Sequence, residues 1–164
     1  RHLTRHEGLL VITNNIHVAS ILMPSPGIEV ILAGGLLRRT DGGIVGEAAI
    51  DIIRQFKVDH AVIGVSAIDE EGALLDFDYR EVQAAQAIIA NARSVMLVAD
   101  STKLRRTAAV RIAHIGQIQT FVTDAPLPPG LQAICQSRGI QVIEAMPGAV
   151  VEEAEELNPE PTAL

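Results

Sequence analysis

The chain has 164 residues, carries a formal net charge of −7, and is 48% hydrophobic but only 2% aromatic. This length suits one α/β domain with a sizeable buried core. The acidic balance and the scarcity of aromatic rings argue against direct nucleic-acid binding, since phosphate backbones attract basic surfaces and unpaired bases stack on aromatic side chains.

Short runs rich in Val and Ile alternate along the chain with segments whose Ala, Leu and Ile residues have helical spacing. Strands are predicted at residues 9–13, 28–33, 60–66, 94–99, 120–123 and 140–145. Helices are predicted in "NNIHVASIL", "GEAAIDIIRQF", "YREVQAAQAIIANA" and "PPGLQAICQSRG". Because the strands are apolar on both faces and helices separate them, the pattern predicts an α/β fold with a mostly parallel sheet and right-handed crossovers.

The remaining composition sets the domain limits and the compartment. Residues 146–164 are acidic and contain several prolines, so we expect a largely disordered tail after a globular domain at 1–145. Cys135 is the single cysteine and lies in an apolar pattern, which favours a core position in a reducing cytosol over a nucleophile. The histidines lack metal-ligand partners, no run is long enough to span a membrane, and no dinucleotide fingerprint indicates a cofactor.

Polar clusters follow four of the predicted strands. They are "TNN" at 13–15, "AGGLLR" at 33–38, "SAIDEEGALLDFDYRE" at 66–81 and "DSTK" at 100–103. Ligands of open α/β sheets collect outside the carboxyl ends of the strands, so we expect these clusters to form a site for a small anion or polyol. The alternative is that they are ordinary solvated loops.

Individual residues allow both interpretations. Gly34 and Gly35 could let backbone N–H groups approach a ligand or could simply make a turn. Asp76, Asp78 and Glu81 precede a helix, where one acid is ordinary capping, but three within six positions exceed what capping needs and could accept sugar hydroxyls. Lys103 could meet a phosphate or could be an exposed loop lysine.

These segments together resemble the carboxyl-terminal sensor domain of DeoR-family bacterial transcription regulators. The resemblance is carried by "VITNN", "ILAGGLLRRTDGGIVGEAAIDIIRQF", "IGVSAIDEEGALLDFDYREV", "AIIANARSVMLVADSTK" and "TDAPLP", in order from residue 9 to about 145. It implies a Rossmann-like sheet with helices on both faces, similar to ribose-5-phosphate isomerase and glucosamine-6-phosphate deaminase. By matching the family's motifs, it implies ligand contacts at Asn14, Gly34, Gly35, Arg38, Asp76, Asp78, Tyr79, Glu81, Asp100 and Lys103.

The same resemblance implies a cytoplasmic, oligomeric, non-enzymatic sensor without a cofactor. It is strongest to members that regulate glycerol 3-phosphate metabolism, which makes sn-glycerol 3-phosphate the expected inducer. Two features depart from the family: no helix-turn-helix DNA-binding domain is found, and the chain is expected to begin after the family's first strand and phosphate loop. Two alternatives stay open, a sugar-phosphate isomerase or deaminase with Asp78 or Glu81 as its base, and a truncated remnant that no longer binds a ligand.

Overall fold

The computed structural model describes residues 2–145, and the predicted tail at 146–164 lies outside this part. Its strands are β1 (Leu9–Thr13), β2 (Ile28–Leu32), β3 (Leu36–Leu37), β4 (Ile44–Val45), β5 (Val58–Ile63), β6 (Ala67–Ile68), β7 (Ala73–Asp76), β8 (Ala92–Val98), β9 (Val110–His114), β10 (Thr120–Thr123) and β11 (Gln141–Glu144). Its α-helices are α1 (Ile16–Leu22), α2 (Glu47–Arg54), α3 (Tyr79–Ala90) and α4 (Pro129–Arg138). Short 3-10 helices lie at His2–Arg5, Ser101–Arg105 and Ile115–Gln117.

Parallel pairing dominates, as the alternating pattern predicts. Four strands form one sheet in the order β11-β10-β8-β5, and all three of its pairings are parallel. β1 and β2 form a separate parallel pair, and among residues 2–145 no strand pairing joins this pair to the four-stranded sheet. The expectation of an α/β fold with a mostly parallel sheet and intervening helices is therefore confirmed.

The antiparallel parts of the fold were not predicted. β3 and β4 form a hairpin, and β6, β7 and β9 form a three-stranded antiparallel sheet with an irregularity between Leu74 and Leu75. Most of these strands are only two to four residues long. Such short segments give too few alternations for a pattern of period two to be recognised.

One face of the four-stranded sheet forms the main core. Val95, Leu97 and Phe121 are almost fully buried there, together with Val82 of α3 and Cys135 of α4. Burial raises the pKa of the Cys135 thiol, so the nucleophilic thiolate form is less populated at neutral pH. Cys135 is thus the core residue that its apolar neighbours predict.

The opposite face of this sheet is more open. Val62 on β5, Val98 on β8 and Ile143 on β11 are 65%, 46% and 39% exposed. The strand registers place Val98 and Ile143 on the same face, with Val122 of β10 between them. Among the described residues, the expected helical layer therefore covers this face of the four-stranded sheet less completely than the other.

Candidate functional site

The candidate residues lie where the strands end, because the chain turns polar at each of these points. Asn14 directly follows β1, Gly34 and Gly35 follow β2, and Asp100 begins the turn after β8. Asp76 ends β7, and Asp78 caps the helix that begins with Tyr79. The structure joins several of these residues through direct contacts, and the centre of that network is Arg38.

Arg38 lies between three carboxylates. Its guanidinium donates hydrogen bonds to Asp41 Oδ2 at 2.8 Å, Glu81 Oε2 at 3.1 Å and Asp78 Oδ2 at 3.4 Å. The Arg38 side chain is only 20% exposed. These ion pairs connect the β3–β4 hairpin to the first turn of α3, and they bring together three predicted residues, Arg38, Asp78 and Glu81, with Asp41, which was not predicted.

Asp78 is a helix cap as well as an ion-pair partner. Its Oδ1 accepts the backbone N–H of Arg80 at 2.9 Å, and the Arg80 guanidinium also contacts both carboxylate oxygens. Hydrogen bonds from the side chain and backbone of Arg80, with a smaller electrostatic contribution from Arg38, lower the pKa of Asp78 below its ordinary value. Asp78 is therefore held as an anion whose oxygens are largely engaged by the protein itself.

Glu81 has a different environment. Burial raises the pKa of its carboxyl, the charge of Arg38 opposes that rise, and the nearby carboxylates of Asp41, Asp76 and Asp78 add to it. Arg38 contacts only Oε2, and no hydrogen bond to Oε1 is formed within residues 2–145. Glu81 thus offers one partly desolvated oxygen that can accept a hydrogen bond from a ligand hydroxyl.

Asp76 is held from two sides. Its Oδ2 accepts a hydrogen bond from the Ser66 hydroxyl at 2.8 Å, and its Oδ1 accepts the backbone N–H groups of Phe77 and Asp78 at 2.6 and 3.2 Å. These bonds fix the turn that leads into α3. Ser66 is a residue of the site that sequence reasoning missed, although it stands in the quoted segment that follows the third predicted strand.

Asn14 and Gly35 tie the end of the β1–β2 pair to the hairpin. The Asn14 amide donates to the carbonyl of Ile44 at 3.0 Å, and the Ile44 N–H donates to the Asn14 carbonyl at 2.6 Å. Gly35 has a φ of +150°, and a Cβ there would lie 2.7 Å from the Val45 carbonyl oxygen. Close backbone approach explains this glycine without a ligand, whereas a Cβ on Gly34 would meet open space.

The Asp100–Lys103 turn lies beside this network rather than within it. Asp100 caps the 3-10 helix Ser101–Arg105, and its hydrogen bonds from Thr102 lower its pKa. Lys103 Nζ lies 3.9 Å from Asp100 Oδ2, and its side chain is 24% exposed. The 3-10 helix packs against β6, which directly follows Ser66. Among the described residues, Lys103 forms no hydrogen bond or ion pair with Arg38, Asp78 or Glu81.

Tyr79, which was predicted, and Asp124, which was not, complete the surroundings of the site. Tyr79 is 63% exposed, and its hydroxyl accepts a hydrogen bond from Gln83 at 3.4 Å. Asp124, which directly follows β10, accepts the Ser101 N–H at 2.6 Å and so anchors the Lys103 turn. Asp124 belongs to the quoted "TDAPLP" segment, whose position after a predicted strand was the signal that could have identified it.

The arrangement places hydrogen-bond donors and acceptors of both charges side by side. Four carboxylates (Asp41, Asp76, Asp78 and Glu81) and two guanidinium groups (Arg38 and Arg80) lie together. Within residues 2–145, no group of three or more His, Cys, Asp or Glu side chains is placed to hold a metal ion. A search of the same residues for a helix that could cross a membrane found none. Fold and site together define an α/β domain with a charged polar network beside the ends of its strands.

Comparison with known proteins identifies the family. A family model described as "DeoR C terminal sensor domain" matches residues 1–125, a range that includes all ten candidate residues. The chain is 45% identical over 140 residues to the glycerol-3-phosphate regulon repressor of Escherichia coli K12, covering 85% of this chain and 56% of that protein. The chain therefore belongs to the DeoR C-terminal sensor domain family, and the resemblance found in the sequence is confirmed.

Other relatives agree with this assignment. The glycerol-3-phosphate regulon repressor of Haemophilus influenzae is 44% identical over 122 residues, covering 74% of this chain and 48% of that protein. The HTH-type transcriptional repressor CsqR of Escherichia coli K12 is 38% identical over 143 residues, covering 87% of this chain and 55% of that protein. The chain thus spans about half the length of these curated relatives. All three are named as repressors, which supports the expectation of a regulator over that of an enzyme.

Proposed function

We propose that this chain is the effector-sensing and oligomerising part of a cytoplasmic bacterial DeoR-type repressor, with sn-glycerol 3-phosphate as its inducer. The observation that carries the proposal is the 45% identity over 140 residues to a glycerol-3-phosphate regulon repressor. The polar network at the strand ends supports it, because carboxylate and amide oxygens accept the hydroxyl hydrogen bonds of a polyol. Operator DNA would be bound by a helix-turn-helix domain outside these 164 residues.

The charges of the site favour one orientation of such a ligand. The Arg38 network has more carboxylates than guanidinium groups, so it repels a phosphate and attracts hydroxyl donors. Lys103 is a compact cation on the neighbouring turn, where its ion-pair partner among the described residues, Asp100, lies at 3.9 Å. The glycerol hydroxyls would therefore meet Glu81 and Asn14, and the phosphate would lie on the side of Lys103.

Regulation follows from a difference in affinity between two states. The empty repressor would bind its operator, and the inducer would prefer a conformation that spaces the DNA-binding domains poorly. A ligand shifts such an equilibrium only as far as it discriminates between the states. The Arg38 network is a suitable place for discrimination between the two states, because it connects the β3–β4 hairpin to α3. Its partners Asp78 and Glu81 lie 40 and 43 positions further along the chain.

The test is a calorimetric titration of the chain with sn-glycerol 3-phosphate at fixed salt. The Lys103→Ala variant is expected to bind about tenfold to a hundredfold more weakly, since a charge-assisted contact contributes about 1.5–3 kcal/mol. Its melting temperature without ligand is measured as well, because the Lys103 side chain is only 24% exposed and its removal also changes packing. Lys57→Ala is the matched control, because Lys57 is an exposed lysine that donates to the Ala90 carbonyl on another part of the fold.

Several outcomes would contradict the proposal. Equal affinities of the parent and Lys103→Ala would remove Lys103 from the site. Absence of any binding by the parent would favour the non-binding alternative. Incorporation of solvent deuterium into ribose 5-phosphate or glucosamine 6-phosphate, abolished by Glu81→Gln, would favour an isomerase or deaminase.

A further inference from the structure

We propose that Ser66 is a positioning residue of the effector site, which it serves by fixing Asp76 and, through Asp76, the carboxylates that hold Arg38. The inference rests on the proposed function, since it concerns the same site. Ser66 need not touch the ligand. Its role is to set the geometry of groups that do.

The first step is the local geometry of Ser66. The residue lies between β5 and β6, and it is half-buried. Its N–H donates to the Leu75 carbonyl of β7 at 3.0 Å, so its backbone is fixed against the strand that ends at Asp76. The hydroxyl then donates to Asp76 Oδ2 at 2.8 Å. A short, partly buried hydrogen bond to a carboxylate is stronger than one between neutral groups.

The second step leads from Asp76 to Arg38. The other oxygen of Asp76 accepts the N–H groups of Phe77 and Asp78, which sets the backbone of the residue that caps α3. Asp78 then shares the guanidinium of Arg38 with Glu81, one turn further along the helix. Loss of the Ser66 hydroxyl would leave the Asp76 carboxylate held only at Oδ1, so the turn that leads into α3 would lose one of its supports.

The third step leads to the other half of the proposed site. β6 begins directly after Ser66, and the 3-10 helix that contains Lys103 packs against β6. Ser66 therefore lies between the turn that carries Lys103 and the network around Arg38. A residue at this point can maintain the distance between a phosphate-binding group and a hydroxyl-binding group.

The experiment measures two quantities in the full 164-residue chain. Hydrogen exchange of the Phe77 and Asp78 amides, without ligand, reports whether the turn depends on Ser66. Calorimetric affinity for sn-glycerol 3-phosphate reports whether the turn matters for binding. The variants are Ser66→Ala, Ser66→Thr, which keeps the hydroxyl, and the control Ser137→Ala, whose hydroxyl donates to the Ile134 carbonyl in α4.

Ser66→Ala should accelerate exchange at both amides and weaken binding about twofold to tenfold, the loss of one net hydrogen bond. Ser66→Thr should restore both quantities, and Ser137→Ala should change neither. In a double-mutant cycle of Ser66→Ala and Asp76→Asn, the losses of affinity should be non-additive, because Ser66 is proposed to act through Asp76.

Each other result overturns the inference. Unchanged exchange in Ser66→Ala would show that the turn does not depend on the hydroxyl. Faster exchange with unchanged affinity would mean that Ser66 is only structural. If the parent chain does not bind the ligand, the proposed function fails, and the role of Ser66 in effector binding fails with it, whatever the exchange rates show.

Discussion

Replacement of Arg38 by Met is expected to destabilise the fold, and more at neutral pH than in acid. The variant Arg38→Met keeps an apolar stem but removes every N–H donor. Asp41, Asp78 and Glu81 then lose their shared cation. Since the Arg38 side chain is 20% exposed, water replaces these contacts only in part.

The magnitude follows from the exposure of each partner. Asp41 is 46% exposed, so its pair should contribute less than about 1 kcal/mol to the free energy of unfolding. Glu81 is 29% exposed, and a more buried carboxylate costs more when its partner is removed. We expect a total loss of about 2–3 kcal/mol at neutral pH. For a domain of this size, that loss corresponds to a decrease of about 5–10 °C in melting temperature.

The pH dependence follows from Glu81. Its folded-state pKa is already raised by burial, and removal of Arg38 takes away the influence that opposes this rise. A carboxyl whose pKa is higher in the folded state binds more protons there, so stability falls as pH rises from the unfolded toward the folded pKa. The deficit of Arg38→Met should therefore be complete above the folded pKa and should shrink as pH falls toward 4.5, the ordinary value of Glu81.

Urea unfolding followed by far-ultraviolet circular dichroism, at several pH values, measures this effect. Arg54→Met is the matched control, because Arg54 is 62% exposed and its partner Asp51 lies 3.9 Å away. That control should lose less than about 0.5 kcal/mol. The reasoning is refuted if Arg38→Met loses no more stability than Arg54→Met, or if its loss is independent of pH.

Three further predictions concern the cap, a turn and the open sheet face. Asp78→Ala should cost about 1 kcal/mol as a lost helix cap. The folded pKa of Asp78 is lowered from its ordinary value of 3.8, so the cost should decrease as pH falls below 3.8 and disappear below the folded pKa. A cost that persists in urea unfolding at still lower pH would contradict this prediction. Gly72→Ala should lose about 1–3 kcal/mol in urea unfolding, since φ is +87° and the new Cβ would lie 2.6 Å from Ile115, whereas Gly130→Ala, with open space, should be nearly neutral. The parent chain should self-associate through the open sheet face, and Val62→Lys should reduce this association. Sedimentation that shows a monomeric parent at every concentration would disprove the prediction.

The parallel sheet could be predicted because most of its strands contain short apolar runs. The segment that became β8 is buried at Val95 and Leu97 and followed by Asp100, so its end is clear from residue type, whereas its start at Ala92 lies two residues before the predicted one. β7 was not recognised, because four residues between a glycine turn and an acidic cluster resemble part of a loop. β9 contains an alternating pattern, but its arginine and histidine obscured it.

The site was predicted in outline but not in its connections. Capping indicates that Asp78 lies at a helix start, and the structure confirms this. Arg38 forms ion pairs with Asp78 and Glu81, which lie 40 and 43 positions further along the chain. Sequence spacing carries no information about such contacts. Ser66 and Asp124 were missed for the same reason, since each acts on a residue that another strand brings close.

On the proposed function, these connections would explain how an acidic domain recognises an anionic polyol. A net charge of −7 is an average over the surface, and at physiological salt charges beyond about 8 Å are largely screened. What a ligand would meet is local: an Arg38 network with excess carboxylates on one side, and, on the other, Lys103, whose described ion-pair partner Asp100 lies 3.9 Å away. A phosphate alone would be attracted only to Lys103, and a neutral polyol would form hydrogen bonds only with the carboxylates. The two halves together favour a molecule that carries both groups, which is the chemical definition of a polyol phosphate.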